Sequence, residues 1–473
     1  MSGGRAASAV PGLRRELGTL ESYAALLGIL IGAGIFKVTS ESWVLTGPSV
    51  ILAHAVLAIP VLATSVAYSV FLSTPLGTEP GGEYTHISRT LGSGIAFVGA
   101  WLKIISYVGA LAYLALAFSD YLLALLPDAQ GAAFVRLAIA LASLVLFFLV
   151  HALGVRWFGR TQLGMVALLG VSLAVLILPG LFAIDPANYR PFFRGGVRGF
   201  AAALPPLFFA YAGFESLAQT AGEVRDSRAR LPGIFLRGIA GTAVLYVLLS
   251  VVAFGVLPGP RLQASSAPMA EVGARYLHTG AAWFVTLGAV MAIATSLNAT
   301  MLVPSRLALV LVRDGLAPRW LGAISRATGT PVRGLALTLA IASALLVSGQ
   351  VSLALGIAVV ALVVLYFLHS LALLVLPRRD PALFRSAAAS IPLWVQRTAG
   401  VVSMLAMAAL LLLQGVSDVL VLREKPFAVR VATHSLTALE LMLAWCLVGA
   451  GMYGLARRQA AAAAPRTAPQ PAE

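Results

Sequence analysis

Three stretches carry the residue types that could do chemistry. The first reads GILIGAGIFK, from Gly28 to Lys37. Glycine in a helix interior costs about 1 kcal/mol relative to alanine, so Gly28, Gly32 and Gly34 in one apolar run need a reason. One reason is packing, because Gly28 and Gly32 are four apart and small residues at that spacing let another helix approach closely. The other is a helix break at membrane depth. Unwound backbone there is tolerated only where protein or a watery cavity satisfies it. Such a break frees N–H groups at the start of one half-helix and C=O groups at the end of the other. A zwitterion matches that pair, carboxylate to the N–H end and ammonium to the C=O end. The second stretch, LPPLFFAYAGFESLAQTAGEV (204–224), holds Pro205, Pro206, Gly213 and Glu215. A carboxylate at membrane depth is costly and by default functional. The third, IATSLNAT (293–300), offers Thr295, Ser296 and Asn298, small polar residues of the kind that hydrogen-bond across helices.

The elements that position these residues follow from composition. The chain has 473 residues, 59% hydrophobic and 11% charged, with mean hydropathy +0.92. A soluble domain carries about 25% charged residues, so the chain reads as an all-α integral membrane protein. A membrane-spanning helix needs about 20 apolar residues, and twelve such runs occur: 20–44, 48–73, 92–126, 132–152, 162–183, 199–222, 234–257, 279–312, 334–349, 352–376, 393–414 and 431–456. The third and eighth are long enough to tilt or to project beyond the bilayer. The start of the chain is polar and basic, without the pattern of a cleavable signal peptide. With the N-terminus inside, Arg14, Arg15, Arg156, Arg160, Arg225, Arg228, Arg313, Arg378 and Arg379 all fall on cytoplasmic segments. That bias predicts cytoplasmic termini in the cell membrane. It also accounts for much of the +15 net charge without a nucleic-acid partner.

A break in the first run has a corollary. In an inverted repeat, a second interrupted helix falls five helices later, which is where Gly213 and Glu215 stand. At this point the sequence resembles a family, the amino acid–polyamine–organocation permeases. GAGIF, EPGGEYTHISRTLG (79–92), FFAYAGFESLAQTAGEVRDSRARLP (208–232) and SRLALVLVRDGLAPRWLGAISRATGTPVRG (305–334) carry the resemblance, in order and over nearly the whole chain. It implies a leucine-transporter-type fold: a 5+5 inverted repeat with discontinuous helices 1 and 6, two additional helices, and alternating access. The corresponding divisions are a tail 1–18, a core 19–376 with repeats 19–183 and 199–376, two helices within 377–456, and a disordered tail 457–473. The implied function is secondary transport of amino acids, by exchange or proton-linked uptake, with a polyamine carrier or a sodium-coupled symporter as alternatives.

The resemblance also implies site roles. Gly32, Ala33 and Gly34 present N–H groups to a substrate carboxylate, and Ile29, Leu30 and Ile31 present carbonyls to its ammonium. Phe209, Ala210, Tyr211 and Gly213 complete the site, with Phe209 as an aromatic gate and Glu215 as the proton-linked carboxylate. Thr295 and Ser296 stand where sodium-coupled relatives of the fold place cation ligands. A lysine that several relatives carry in segment 5 would fall near Leu169, and none is present. Lys103, about ten residues into segment 3, reads either as facing the central cavity or as snorkelling. Lys37 precedes Glu41 by four and reads either as half of a helical ion pair or as a vestibule charge that attracts anionic side chains, and His54 reads as a packing residue. No enzyme signature competes. The six histidines lack HExxH spacing, no phosphate-binding loop occurs, and Cys446 is the lone cysteine, so neither a metal nor a cofactor is expected. The expected partners are the amino acid, H+ or Na+, and the lipid bilayer, for a monomer or homodimer.

Overall fold

Glycine and proline punctuate an otherwise continuous series of apolar runs that fold as helices, whole or interrupted. The computed structural model describes residues 13–32, 34–125, 133–265, 267–349, 351–432 and 436–463. Ala33 and the tail residues 1–12 and 464–473 therefore lie outside the described residues. The major helices are α1 (Thr19–Leu30), α2 (Val50–Ser73), α3 (Gly82–Thr90), α4 (Ser93–Ala124), α5 (Ala133–Ala152), α6 (Val155–Gly180), α7 (Gly196–Phe208), α8 (Ser216–Gln219), α9 (Ser227–Val256), α10 (Thr279–Arg313), α11 (Val332–Val347), α12 (Val351–Arg379), α13 (Leu393–Glu424) and α14 (Ala438–Ala463).

Among the described residues, eleven segments are long and apolar enough to cross a membrane. The chain is a multi-pass membrane protein. The ninth expected run, 334–349, appears as α11, which at 16 residues and about 1.5 Å per residue falls short of the hydrocarbon thickness. α4 and α10, with 32 and 35 residues, exceed it, as the long third and eighth runs predict.

Burial separates centre from periphery. Of the most apolar stretch of each segment, 71% is buried for Thr19–Glu41, against 11% for Ala438–Ala456. α1 is therefore central, and it packs on α6, α9 and α10. Peripheral helices turn large apolar side chains outward, including Phe134, Leu412 and Leu447. In water that surface would mark an interaction site; in a bilayer it is the lipid-facing wall.

One end of the bundle gathers the basic loops. Leu17 pairs with Val224 through backbone bonds, Leu17 N to Glu223 O (3.0 Å) and Arg225 N to Leu17 O (2.9 Å). Arg14 reaches the Ala327 carbonyl at the same end. There Arg306 makes a fully buried two-pronged contact with Glu223, at 3.0 and 3.2 Å. At the opposite end Asp120 on α4 joins Lys37 (2.9 Å) to Arg136 on α5. Lys37 thus pairs across the bundle, not along its own helix with Glu41.

Candidate functional site

Both interrupted segments are broken where their glycines stand. α1 ends at Leu30, Ile31 leaves helical geometry (φ −81°, ψ 79°), and a wider π-type turn follows over Gly34–Val38. α7 ends at Phe208 after Pro205 and Pro206, which lack the N–H that a continuing helix needs. A tight turn over Phe209–Tyr211, extended backbone at Ala212 and a left-handed Gly213 (φ +105°) lead into α8. Gly213 takes a conformation that side chains rarely adopt. Gly34 is required by proximity: a Cβ there would lie 3.0 Å from the Ala210 nitrogen and nearer still to its Cα. The two breaks therefore touch backbone to backbone.

Groups freed at the first break are met by neutral partners. Thr295 Oγ1 donates to the Gly28 carbonyl (2.8 Å) or to its own helix at Ala292 O (2.7 Å). Ser296 Oγ lies 2.9 Å from Gly28 O and 3.2 Å from Ile29 O. The Tyr246 hydroxyl sits between Leu30 O and Ala210 O, 2.6 Å from the latter, and its single proton serves one at a time. On α6, Gln162 donates to Ala24 O (3.2 Å) and Thr295 O (3.1 Å) and accepts from Asn298 Nδ2 (2.7 Å). Gln162 is thus the polar residue of segment 5 that meets α1. Leu169, the position matched to the absent lysine, lies in an apolar groove with Leu27 and Ile31.

The second break is satisfied by charge. Glu215 is fully buried. Its Oε2 accepts from the Gly213 N–H (3.0 Å) and from the Tyr366 hydroxyl, and its Oε1 accepts from the Tyr107 hydroxyl (2.6 Å). Lys103 Nζ stands 3.9 Å from Glu215 and forms an ion pair with Glu83 on α3. Glu83 also accepts from Gln219 Nε2 (3.0 Å) and from the Tyr68 hydroxyl (3.3 Å). Burial pushes the Glu83 carboxyl up against the opposing pull of Lys103. Next to it, His86 and His369 share a hydrogen bond of 3.0 Å. Burial, and then Lys103, push His86 down to about 3.

A cavity lies between the breaks, with a free volume of about 40 Å³. Of the residues singled out in the sequence, it is lined by Ile29, Leu30, Gly32, Gly34, Phe209, Gly213 and Ser296, joined by Ser106, Tyr107, Ala110, Leu114, Ala212, Thr300 and Leu362. Other singled-out residues stand apart from it. Ile31 faces the apolar groove. Ala210 supports Gly34, and the Tyr211 hydroxyl turns away to the His54 carbonyl (2.9 Å). Thr295 sits behind α1, and Glu215 behind Gly213. His54 packs between Tyr211 and Tyr246 and contacts Thr39 Oγ1 at 3.0 Å. Lys103 neither lines the cavity nor snorkels; it is buried in the carboxylate cluster behind Tyr107. Sequence reasoning missed Glu83 as its partner. The available signal was a glutamate in EPGGEYTH together with a lysine deep in an apolar run, two opposite charges that must be neutralised by something.

With two broken helices meeting at a mainly apolar cavity, the molecule has the frame of a membrane carrier for a small solute. The chain belongs to the amino acid permease family, whose sequence profile matches residues 17–433. Its relatives include the branched-chain amino acid permease BcaP of Bacillus subtilis, 28% identical over 69% of this chain and 73% of that protein. A methylthioribose transporter of the same organism is 26% identical over the same shares. The b(0,+)-type amino acid transporter 1 of Mus musculus is 28% identical over 68% of each chain.

Proposed function

We propose that the protein carries amino acids with uncharged, apolar side chains across the cell membrane, by exchange or proton-linked uptake. The observation that supports this most is the meeting of the two breaks at one cavity, with Gly32, Gly34 and Gly213 on its wall. Half-helix ends suit the two charges of a zwitterion, with Gly32–Gly34 toward the carboxylate and Ile29–Ile31 toward the ammonium. The walls that remain for the side chain are Ala110, Leu114, Phe209 and Leu362, and no carboxylate or basic group is among the lining residues. That lining disfavours a polyamine. It agrees with the branched-chain substrate named for the Bacillus subtilis relative. The cavity admits only a few water-sized spheres, so its walls must open around an amino acid. Phe209, partly buried and edge-on to Tyr113, is the wall residue suited to act as a gate.

The reading carries the rest of the family's architecture with it: repeats 19–183 and 199–376, two further helices within 377–456, cytoplasmic termini, and alternating access between the two ends. A second reading, sodium symport, has an observation of its own. Gly28 O, Ile29 O, Ala292 O and the hydroxyls of Thr295 and Ser296 bring five oxygens together with two hydroxyl protons to share. Uptake of labelled leucine, lysine, glutamate and putrescine into proteoliposomes, under separately imposed proton and sodium gradients, tests both. Leucine uptake or exchange without sodium is expected. Transport of putrescine alone would overturn the substrate reading, and an absolute need for sodium would replace proton linkage with the second reading.

A further inference from the structure

The mechanism of a broken-helix carrier uses Glu215 to hold the second break, but it leaves the buried pair Glu83–Lys103 without a role. Resting on the permease reading above, we propose that Glu83, Lys103 and Glu215 form one proton-binding unit, in which two carboxylates and one ammonium hold a single exchangeable proton.

The charge count comes first. Fully ionised, two carboxylates and one ammonium sum to a net charge of −1, and all three side chains are no more than 1% exposed. A buried charge without a partner is costly, and the usual outcome is a change of protonation. Among the described residues no other cation compensates: Arg306 is engaged by Glu223, and Arg313 by Glu79 and Asp314. The remaining titratable groups facing the cluster are Tyr68 on α2, His86 on α3, Tyr107 on α4 and Tyr366 and His369 on α12. The tyrosines act as neutral donors, and the histidine pair uses one ring as donor and the other as acceptor.

Geometry indicates where the proton can sit. Both Glu215 oxygens already accept from hydroxyl or backbone donors. Among the described residues the side-chain donor to Glu83 Oε2 is Tyr68, at a long 3.3 Å, so a proton bound there can be donated to the Tyr68 oxygen. The carboxylates share Lys103 and therefore titrate as a unit rather than one by one. The step is a simple proton transfer: an O–H bond forms on a carboxylate oxygen with a proton from water, and on release the proton returns to water. Glu83 sits on α3, outside the spanning helices, and Gln219 connects it to Gly81 at the basic end. Glu215 connects the same unit to the backbone of the second break. Opening at the basic end would hydrate the cluster and release the proton.

Infrared difference spectroscopy of the purified protein, stepped through neutral pH, reads the carboxylic acid C=O stretch directly. One protonated buried carboxyl is expected in the native protein. Either Glu83→Gln or Glu215→Gln leaves one carboxylate facing one ammonium, so each should abolish the band and flatten the pH profile of leucine transport. Lys103→Gln should increase the band about twofold, which keeps the test open if a glutamine variant fails to fold. A native protein without the band, a Glu83→Gln variant that keeps both band and pH profile, or an unchanged band in Lys103→Gln would each overturn the proposal. Leucine binding measured on the same samples separates the readings. Binding without the band removes the proton unit alone, whereas a band without any amino acid binding removes the permease reading.

Discussion

The two breaks solve the same problem with different chemistry. In segment 1 the freed carbonyls are met by hydroxyls, those of Thr295, Ser296 and Tyr246. In segment 6 the Gly213 N–H is met by a buried carboxylate that is itself held by two tyrosines and a lysine. A net hydrogen bond between neutral groups contributes about 0.5–1.5 kcal/mol, one to a charged group about 1.5–3 kcal/mol. The first break is therefore the softer, a joint of neutral groups, whereas the second is a joint built on a buried carboxylate. Substitutions can force that contrast, beginning where both breaks meet.

Gly34→Leu should have the largest effect. Any side chain there collides with Ala210, so the two half-sites are pushed apart and the cavity filled. We expect uptake to fall to background while the protein inserts and runs as a folded species on size exclusion. Normal transport by well-folded Gly34→Leu would show that the breaks need not touch.

Next comes the charged joint. Glu215→Ala leaves two tyrosine hydroxyls and a backbone N–H without their acceptor and removes a neighbour of Lys103. Each buried donor left unsatisfied costs about 1–3 kcal/mol, so thermal unfolding in detergent should show a large drop. Glu215→Gln keeps an acceptor and should lose less. The pH dependence has a definite sign. A carboxyl raised by burial, as Glu83 is, binds its proton more tightly in the folded state than in the unfolded one. Stability then falls as pH rises from the ordinary carboxylate value through the folded value. Glu83→Gln should flatten that slope in melting curves taken across the same pH range; an unaltered slope would place the titration elsewhere.

Thr295→Ala and Ser296→Ala probe the neutral joint. Each removes one hydroxyl from a site where carbonyls outnumber donors, so each should cost about 1 kcal/mol, the same at low and neutral pH. Sodium should leave the melting temperature of the native protein unchanged. A sodium-dependent rise that both alanine variants lose would turn this joint into a cation site and reverse the contrast.

Much of this is legible in the sequence, because backbone rules are local. Gly213 and Pro205–Pro206 mark a helix that cannot continue, and GAG marks another, so both breaks follow from residue type. Side-chain partners are another matter. Glu83, Lys103 and Glu215 lie on three separate elements, and no periodicity relates them; Lys103 alone reads equally well as snorkelling or cavity-facing. Gln162 was overlooked for a similar reason. Segment 5 was expected to begin at 162, but α6 begins at Val155, so Gln162 lies two turns inside the helix instead of at its mouth.

The smallest effect separates buried charge from charge as such. Just past the second break, Asp226 before α9 and Arg230 in its first turn form an ion pair of 2.9 Å whose side chains are 69% and 38% exposed. A few residues away, Glu223 and Arg306 form a pair that is fully buried. Exposed pairs contribute at most about 1 kcal/mol, because water and salt screen them, while breaking a buried one leaves an ion stranded in a low dielectric. Asp226 also has left-handed backbone (φ 50°), a conformation that asparagine tolerates well. Asp226→Asn should therefore keep the turn and lose only the ion pair. Its helix-start charge on α9 adds a few tenths of a kcal/mol at most in an exposed position. We expect stability within about 1 kcal/mol of the native protein, an effect that shrinks further in high salt, and an unchanged pH profile of leucine uptake. Glu223→Gln should instead destabilise by several-fold more and show little salt dependence. If Asp226→Asn shifted the pH profile, the proton-linked charge would lie in the exposed loop, and the charged joint at Glu215 would be structural only.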